Sequence, residues 1–186
     1  MAGCRTCELT RRRDAGCAPQ WDLVLRTPSW DVAHAYGTSV EGWSVLVLRR
    51  HAASLAEMTD EEAGELGPLL KSVSRALAEV VGCAKTYAAQ FAEDPLHRHV
   101  HFHVIPRAPD QPEDRRGPGV FAGLGVPEER CVPEARMNEI AAAMASKLSG
   151  PARDKGAEQW GTLCVRSWHS EPSELHVLFL QSGSCR

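Results

Sequence analysis

The stretch His99-Val100-His101-Phe102-His103-Val104-Ile105 decides the fold of this 186-residue chain. Histidines alternate with apolar residues over its first five positions. Successive side chains of a β-strand point to opposite faces of the sheet. The alternation therefore predicts a buried strand with its three histidines on one face and its valine and phenylalanine residues on the other.

Three imidazoles on one face suit either a phosphate or a metal ion. Imidazole titrates near neutral pH, so one ring can attack while another donates a proton. A lone histidine is more often a satisfied polar residue, but His99, His101 and His103 at strict alternation indicate a functional site. His97 extends the alternation backwards across Arg98, a poor residue for a core-facing position. We therefore expect His97 in a loop or at the rim of the site.

The rest of the hydrophobic pattern predicts an α+β fold with a mostly antiparallel sheet. Thr59-Asp60-Glu61-Glu62 forms a capping box, and apolar residues then recur at helical spacing as far as Gly82, which predicts one long helix. Pro68 is expected to kink this helix or divide it in two. A second helix is predicted over residues 133–148. Further strands are predicted at residues 21–27, 31–36, 43–48 and 85–91.

Composition and charge restrict the class of protein. The net charge of −3 gives no basic field for nucleic acid, and no apolar run is long enough to span a membrane. Without a leader-like segment, we expect a cytoplasmic protein with reduced cysteines. The Arg11-Arg12-Arg13 cluster is interpreted as solvated surface, and the Pro/Gly-rich residues 111–125 as an exposed loop. We predict a domain over residues 1–149 and a C-terminal extension over 150–186, either disordered or an added edge strand.

His-Val-His-Phe-His-Val-Ile resembles the signature of the histidine triad (HIT) superfamily. The likeness extends upstream to LVLRRHAASLAEMTDEE at residues 46–62 and downstream to Pro106-Arg107. It covers residues 4–105 in order and continues more loosely to Leu148. The resemblance implies a HIT-like fold, with a mostly antiparallel five-stranded sheet, one long helix and a C-terminal helix. It also implies a homodimer.

The resemblance, which is to the HIT-family nucleotide hydrolases, also implies a mechanism. His101 is the nucleophile that attacks the α-phosphorus of a nucleotide, and water then hydrolyses the nucleotidyl-histidine intermediate. The second nitrogen of His101 is expected to donate to a backbone carbonyl. His103 contacts the phosphate and assists the leaving group, and His99 completes the catalytic set. Gln90 and Arg98 are the further candidate substrate-binding residues.

Cys4 and Cys7 form a CxxC pair, which can supply half of a tetrahedral zinc site. The alternative is two free thiols near the N-terminus. The resemblance implies that His51 and His99 complete the site. A structural zinc ion held this way would fix the N-terminus to the catalytic strand.

Three functions compete at this stage. The first is a hydrolase or nucleotidyl transferase acting on a phosphoanhydride or phosphoramidate. The second is a nucleotide-binding or scaffold protein without turnover, suggested by Ala88 where relatives carry an amide, and by Glu93-Asp94 where they carry glycines. The third is a metal-dependent hydrolase whose three triad histidines bind an ion, which lacks an evident carboxylate base.

Overall fold

The computed structural model describes residues 3–149, so both alternatives predicted for residues 150–186 lie outside the described residues. The helices are α1 (Arg5–Asp14), α2 (Asp60–Val81) and α3 (Glu134–Ser149). The strands are β1 (Leu25–Arg26), β2 (Trp30–His34), β3 (Ser44–Leu48), β4 (Lys85–Ala89) and β5 (His101–Arg107). Within this part of the chain, no helix is both long enough and apolar enough to cross a membrane.

The five strands form one sheet in the order β1-β2-β3-β5-β4, with every neighbouring pair antiparallel. The predicted α+β class and five-stranded antiparallel sheet are therefore confirmed. In the β3–β5 pair, Val45 lies opposite His103 and Val47 opposite His101. Cross-strand partners share a face of the sheet, so these four side chains lie on one side.

The two faces of the sheet differ in what they pack against. Phe102 and Val104 belong to the main core, which α2 and α3 close through residues such as Leu77 and Ile140. The face that carries His101 packs a smaller apolar cluster around Trp43, Ile105 and Val120. The predicted alternation along the histidine strand therefore holds from residue 101 onward.

Helix α2 begins and ends where the sequence predicts. The Thr59 hydroxyl accepts from the Glu62 amide at 3.3 Å, and the Glu62 carboxylate accepts from the Thr59 amide at 2.8 Å. Gly82 ends the helix in the left-handed region with φ of 66°. The predicted division at Pro68 is wrong, since the helix runs unbroken for 22 residues. Pro68 and Gly64, whose carbonyl loses its helical hydrogen bond to the proline, both lie on the exposed side, where water can reach that carbonyl.

Two strand predictions need correction. Residues 20–22 form a single 3-10 turn, and the strand predicted from residue 21 is reduced to Leu25–Arg26. The turn directs the Asp22 side chain inward, where it meets Arg13. β5 begins at His101, two residues later than predicted, because the backbone at His99 turns back to donate to the carbonyl of His97 at 2.7 Å.

Helix α1 was not predicted, and it changes the interpretation of the arginine cluster. Its buried residues are Thr6, Leu9, Thr10 and Arg13. Arg11 and Arg12 are exposed, as a solvated surface requires, but Arg13 is 4% exposed, so that interpretation is wrong for Arg13. The spacing of the buried residues is helical, but only one of them is apolar. The hydrophobic pattern of the sequence therefore does not indicate this helix.

Candidate functional site

A cavity of about 400 Å³ lies on the face of the sheet that carries His101 and His103. That volume is within the usual range for small-molecule sites. Its walls come from β3 and β5, from α1, and from the segment that follows β4. The side chains that meet here include His101, His103, Val45, Val47, Leu9 and Phe91.

His101 is held by its own strand. Its Nδ1 lies 2.7 Å from the backbone oxygen of His99, and because a carbonyl only accepts, Nδ1 carries the proton and donates. The neutral ring then has its lone pair on Nε2. This is the backbone contact expected from the sequence for a nucleophilic imidazole.

His103 has the opposite arrangement. The indole Nε1 of Trp43 donates to Nδ1 of His103 at 3.1 Å, so Nδ1 must be unprotonated. Burial, together with the neighbouring His101, lowers the pKa of His103 to about 4. At neutral pH the ring therefore carries its single proton on Nε2. The His101 and His103 ring centroids lie 4.9 Å apart, which places a lone pair and an N–H donor side by side.

His99 is separated from this pair. It is fully buried, and its Nδ1 lies 3.4 Å from Sγ of Cys7 and 3.7 Å from Sγ of Cys4. Its Nε2 donates to the backbone oxygen of Leu48 at 2.6 Å, which leaves the lone pair of Nδ1 directed at the thiols. Burial lowers the pKa of His99, which favours the neutral ring that a metal ion requires.

Cys4, Cys7, His51 and His99 bring two sulfur and two nitrogen ligand atoms within 4.8 Å of one another. His51 Nδ1 lies 3.2 Å from Sγ of Cys7. Tetrahedral zinc with ordinary bond lengths would place sulfur and nitrogen ligands about 3.6 Å apart. Burial and the neighbouring Cys4 raise the pKa of Cys7 to about 11, because a second thiolate is disfavoured there without a cation. The donor set and its spacing fit zinc.

The remaining predicted residues lie in different places. Gln90 is half-buried and Arg98 is exposed, and neither lines the cavity. Glu93 and Asp94 do line it. His97 lines the cavity from its loop.

His97 is held at both ring nitrogens. Its Nδ1 lies 2.9 Å from the Thr6 hydroxyl and its Nε2 lies 3.2 Å from the Tyr36 hydroxyl. Burial lowers the pKa of His97. The ring therefore joins α1 to the end of β2 at the cavity wall, which agrees with the loop position expected for it.

Sequence reasoning missed several side chains in the cavity wall or packed against its histidines. Phe121, in the segment interpreted as an exposed loop, packs its ring 5.8 Å from His103 and 5.4 Å from Trp43. Arg13 and Asp22 form a buried ion pair at the cavity wall, with 2.6 Å between Nη2 and Oδ1. Burial raises the pKa of Asp22, while Arg13 acts in the opposite direction. Helical spacing with Leu9 is the one sequence signal that points Arg13 inward.

The chain was also compared with known proteins. No protein-family model matches the chain. The chain is 28% identical over 121 residues to adenosine 5′-monophosphoramidase hnt1 of Schizosaccharomyces pombe. The aligned segment covers 63% of this chain and 80% of that protein. Among solved structures, a hypothetical histidine triad nucleotide-binding protein from Sulfolobus tokodaii superposes with a TM-score of 0.62 at 14% identity, covering 85% of this chain and all of the other.

The chain shares the fold of histidine triad proteins of known structure. A zinc-bound histidine triad family protein from Mycobacterium smegmatis also superposes on it, with a TM-score of 0.55 at 17% identity, covering 78% of this chain and 94% of that one. At these identities the structures show the shared fold. The resemblance predicted from the His-Val-His-Phe-His segment is therefore confirmed.

Proposed function

We propose that this histidine triad chain is a nucleotide hydrolase or nucleotidyl transferase that forms a nucleotidyl-histidine intermediate on Nε2 of His101. The observation that carries the proposal is the pair of complementary tautomers: His101 donates through Nδ1 to a carbonyl, while His103 accepts at Nδ1 from Trp43. The similarity to an adenosine 5′-monophosphoramidase supports a phosphoramidate or phosphoanhydride of a nucleotide as substrate.

The chemistry divides into two displacements. The lone pair of His101 Nε2 forms a bond to the α-phosphorus as the bond to the leaving amine or phosphate breaks. The Nε2–H of His103 donates a hydrogen bond to that leaving group and stabilises its developing negative charge, and a leaving amine takes its proton from water. Water then attacks the phosphorus, the bond between the phosphorus and Nε2 of His101 breaks, and the proton of the attacking water passes to solvent. The products are a nucleoside monophosphate and the protonated leaving group.

We also propose that Cys4, Cys7, His51 and His99 hold a structural zinc ion. The support is the arrangement of two thiols and two imidazole nitrogens at tetrahedral spacing, with Nε2 of His99 already bound to a backbone oxygen. When bound, zinc would cross-link α1 to the segment that leads into β5. Holding the His99 side chain in this way also fixes the position of the His99 carbonyl. That carbonyl accepts from Nδ1 of His101 and so orients the His101 ring.

The experiment that tests the catalytic proposal is trapping of the intermediate. The protein is incubated with adenosine 5′-monophosphoramidate and, separately, with a diadenosine polyphosphate, and is then quenched and analysed by intact-mass and peptide mass spectrometry. We expect one adenylyl group attached at His101 and release of adenosine monophosphate. His101→Asn should form no adduct while keeping the circular dichroism and melting behaviour of the wild type.

The binding or scaffold function is the second candidate. It is favoured by Glu93 and Asp94, two acidic residues that line the cavity and whose negative charge would repel a polyanionic substrate. Nucleotide binding without adduct or turnover, and indifferent to His101→Asn, would establish it and overturn the first proposal. The metal-dependent alternative fits less well, because the ligand cluster contains His99 but neither His101 nor His103.

The homodimer, the cytoplasmic location and the absence of a nucleic-acid partner stay predictions. Gln90 and Arg98 also stay predictions as substrate-binding residues. Light scattering on the purified chain would measure its oligomeric state directly.

A further inference from the structure

The cavity wall contains a buried carboxylate with only one of its two oxygens hydrogen-bonded. Asp22 is 2% exposed, and its Oδ1 accepts from Nη2 of Arg13 at 2.6 Å. The second oxygen, Oδ2, has no hydrogen-bond partner among residues 3–149. Both Asp22 and Arg13 line the same cavity as His101 and His103.

The surrounding contacts hold this carboxylate in place. Nε of Arg13 donates to the backbone oxygen of Asp22 at 2.7 Å, and Nη1 lies 3.7 Å from Oδ2 of Asp31. Asp31 is itself fully buried and accepts from Nε of Arg26 at 2.7 Å. The guanidinium of Arg13 is therefore fixed between two carboxylates, and it orients the nearer one.

An unpaired oxygen on a buried carboxylate is costly, and proteins leave very few such atoms without a partner. A ligand that enters the cavity can supply the missing hydrogen-bond donor. A phosphate is a poor occupant for this position, because its charge would meet the carboxylate. The matching group is a neutral donor, and in a nucleotide the neutral donors belong to the nucleoside half.

We propose that Oδ2 of Asp22 accepts a hydrogen bond from the nucleoside half of the substrate, donated by a ribose hydroxyl or by an exocyclic amino group of the base. This inference rests on the proposed nucleotide function. It makes Asp22 a specificity-determining residue, because a ligand that lacks the donor leaves a buried acceptor unpaired in the complex.

The first arm of the test changes the ligand and leaves the protein intact. Isothermal titration calorimetry of the wild-type, metal-loaded protein compares three probes: adenosine monophosphate, its 2′,3′-dideoxy analogue, and purine riboside 5′-monophosphate, which lacks the 6-amino group. We expect one of the two analogues to bind about 10- to 100-fold more weakly than adenosine monophosphate, as for loss of a hydrogen bond to a charged group. The analogue that weakens identifies the donor.

The second arm changes the protein. In Asp22→Asn the amide oxygen would stay with Arg13, so an N–H group would face the ligand's donor where Oδ2 stood. We expect adenosine monophosphate to bind about 10- to 100-fold more weakly, and the analogue without the donor to bind the variant as well as it binds the wild type. Asp31→Asn is the matched control, since Asp31 is buried beside Arg13 but does not line the cavity.

The outcomes separate the two proposals. Failure of the wild type to bind adenosine monophosphate would overturn the proposed function and with it this inference. Equal binding of all three probes by the wild type would overturn the inference alone, and this comparison does not depend on the folding of any variant. Equal loss of affinity for every probe in Asp22→Asn and in Asp31→Asn would also overturn it, because the ion-pair network would then act on the fold and not on the ligand.

Discussion

The indole of Trp43 donates a hydrogen bond to Nδ1 of His103 across 3.1 Å, from a ring that is fully buried. A donor at this position excludes a proton from Nδ1, so the neutral imidazole must carry its proton on Nε2. His101 has the other tautomer, since its Nδ1 donates to a carbonyl. Trp43, which directly precedes β3, thus makes His103 the ring with an N–H donor at Nε2, while His101 is the ring with a nucleophilic lone pair at Nε2.

Trp43→Phe removes the donor and keeps an aromatic ring in the core. The proton of His103 is then free to move to Nδ1, so we expect kcat for a nucleotide phosphoramidate to fall about tenfold or more. Trp30→Phe is the matched control, because Trp30 is equally buried but donates its Nε1 to the backbone oxygen of Glu62 in the main core. Equal kcat in Trp43→Phe and Trp30→Phe, with both folded, would contradict the assignment.

Zinc content follows from the four-residue cluster. Elemental analysis of the purified protein should return about one zinc ion per chain, and the double variant Cys4→Ser, Cys7→Ser should lose it. Loss of a tightly bound ion should lower the free energy of unfolding by at least about 3 kcal/mol. The double variant Cys17→Ser, Cys131→Ser, which alters two cysteines outside the cluster, should keep both zinc and stability. A metal-free wild type with unchanged stability would defeat this prediction.

His34 should make stability depend on pH. Its buried ring donates from Nδ1 to the Ala35 carbonyl at 2.7 Å and accepts at Nε2 from the Gly42 amide at 3.0 Å. Burial lowers the pKa of His34 in the folded state, although Glu41 and the Ala35 carbonyl favour the charged form. Below pH 6.5 the unfolded chain therefore binds a proton that the folded chain does not, and the free energy of unfolding falls as the pH falls through that value.

The measurement compares the wild type with His34→Gln, whose amide can make both backbone contacts without titrating. Between pH 6.5 and 5 the free energy of unfolding of the wild type should fall more steeply, by up to about 1.4 kcal/mol per pH unit. Urea unfolding at several pH values measures both slopes. Parallel slopes would mean that His34 titrates alike in the folded and unfolded states.

The cap of α2 gives a prediction on stability alone. Thr59→Ala removes the hydroxyl that accepts from the Glu62 amide, so we expect a loss of about 1 kcal/mol in the free energy of unfolding. Ser54 makes a similar contact to the Ala56 amide at 3.3 Å, but in an exposed 3-10 turn. Ser54→Ala should therefore change stability by less than about 0.5 kcal/mol. A similar loss of unfolding free energy in both variants would contradict the prediction that the cap of α2 contributes more to stability than an exposed turn does.

Local sequence patterns predict much of the fold. The alternation at residues 101–105 and the capping box of α2 each depend on neighbours a few residues apart, and both appear where the sequence predicts them. Helix α1 escaped detection because its buried face contains two threonines and an arginine beside Leu9. A polar face becomes a buried face only when another part of the chain supplies its partners, and hydropathy does not encode that.

The sequence by itself determined which chemical groups this protein has at its centre: alternating imidazoles on a strand, a CxxC pair and a histidine before the long helix. The tertiary structure decided what each group does. His99 turns to the cysteines because the Leu48 carbonyl, 51 residues away, takes its Nε2 proton. His103 owes its tautomer to Trp43, 60 residues away, and Asp22 lies buried in the cavity wall because Arg13 reaches it from α1. These are contacts between distant segments, and hydrogen-bond direction and burial exist only once the segments have packed.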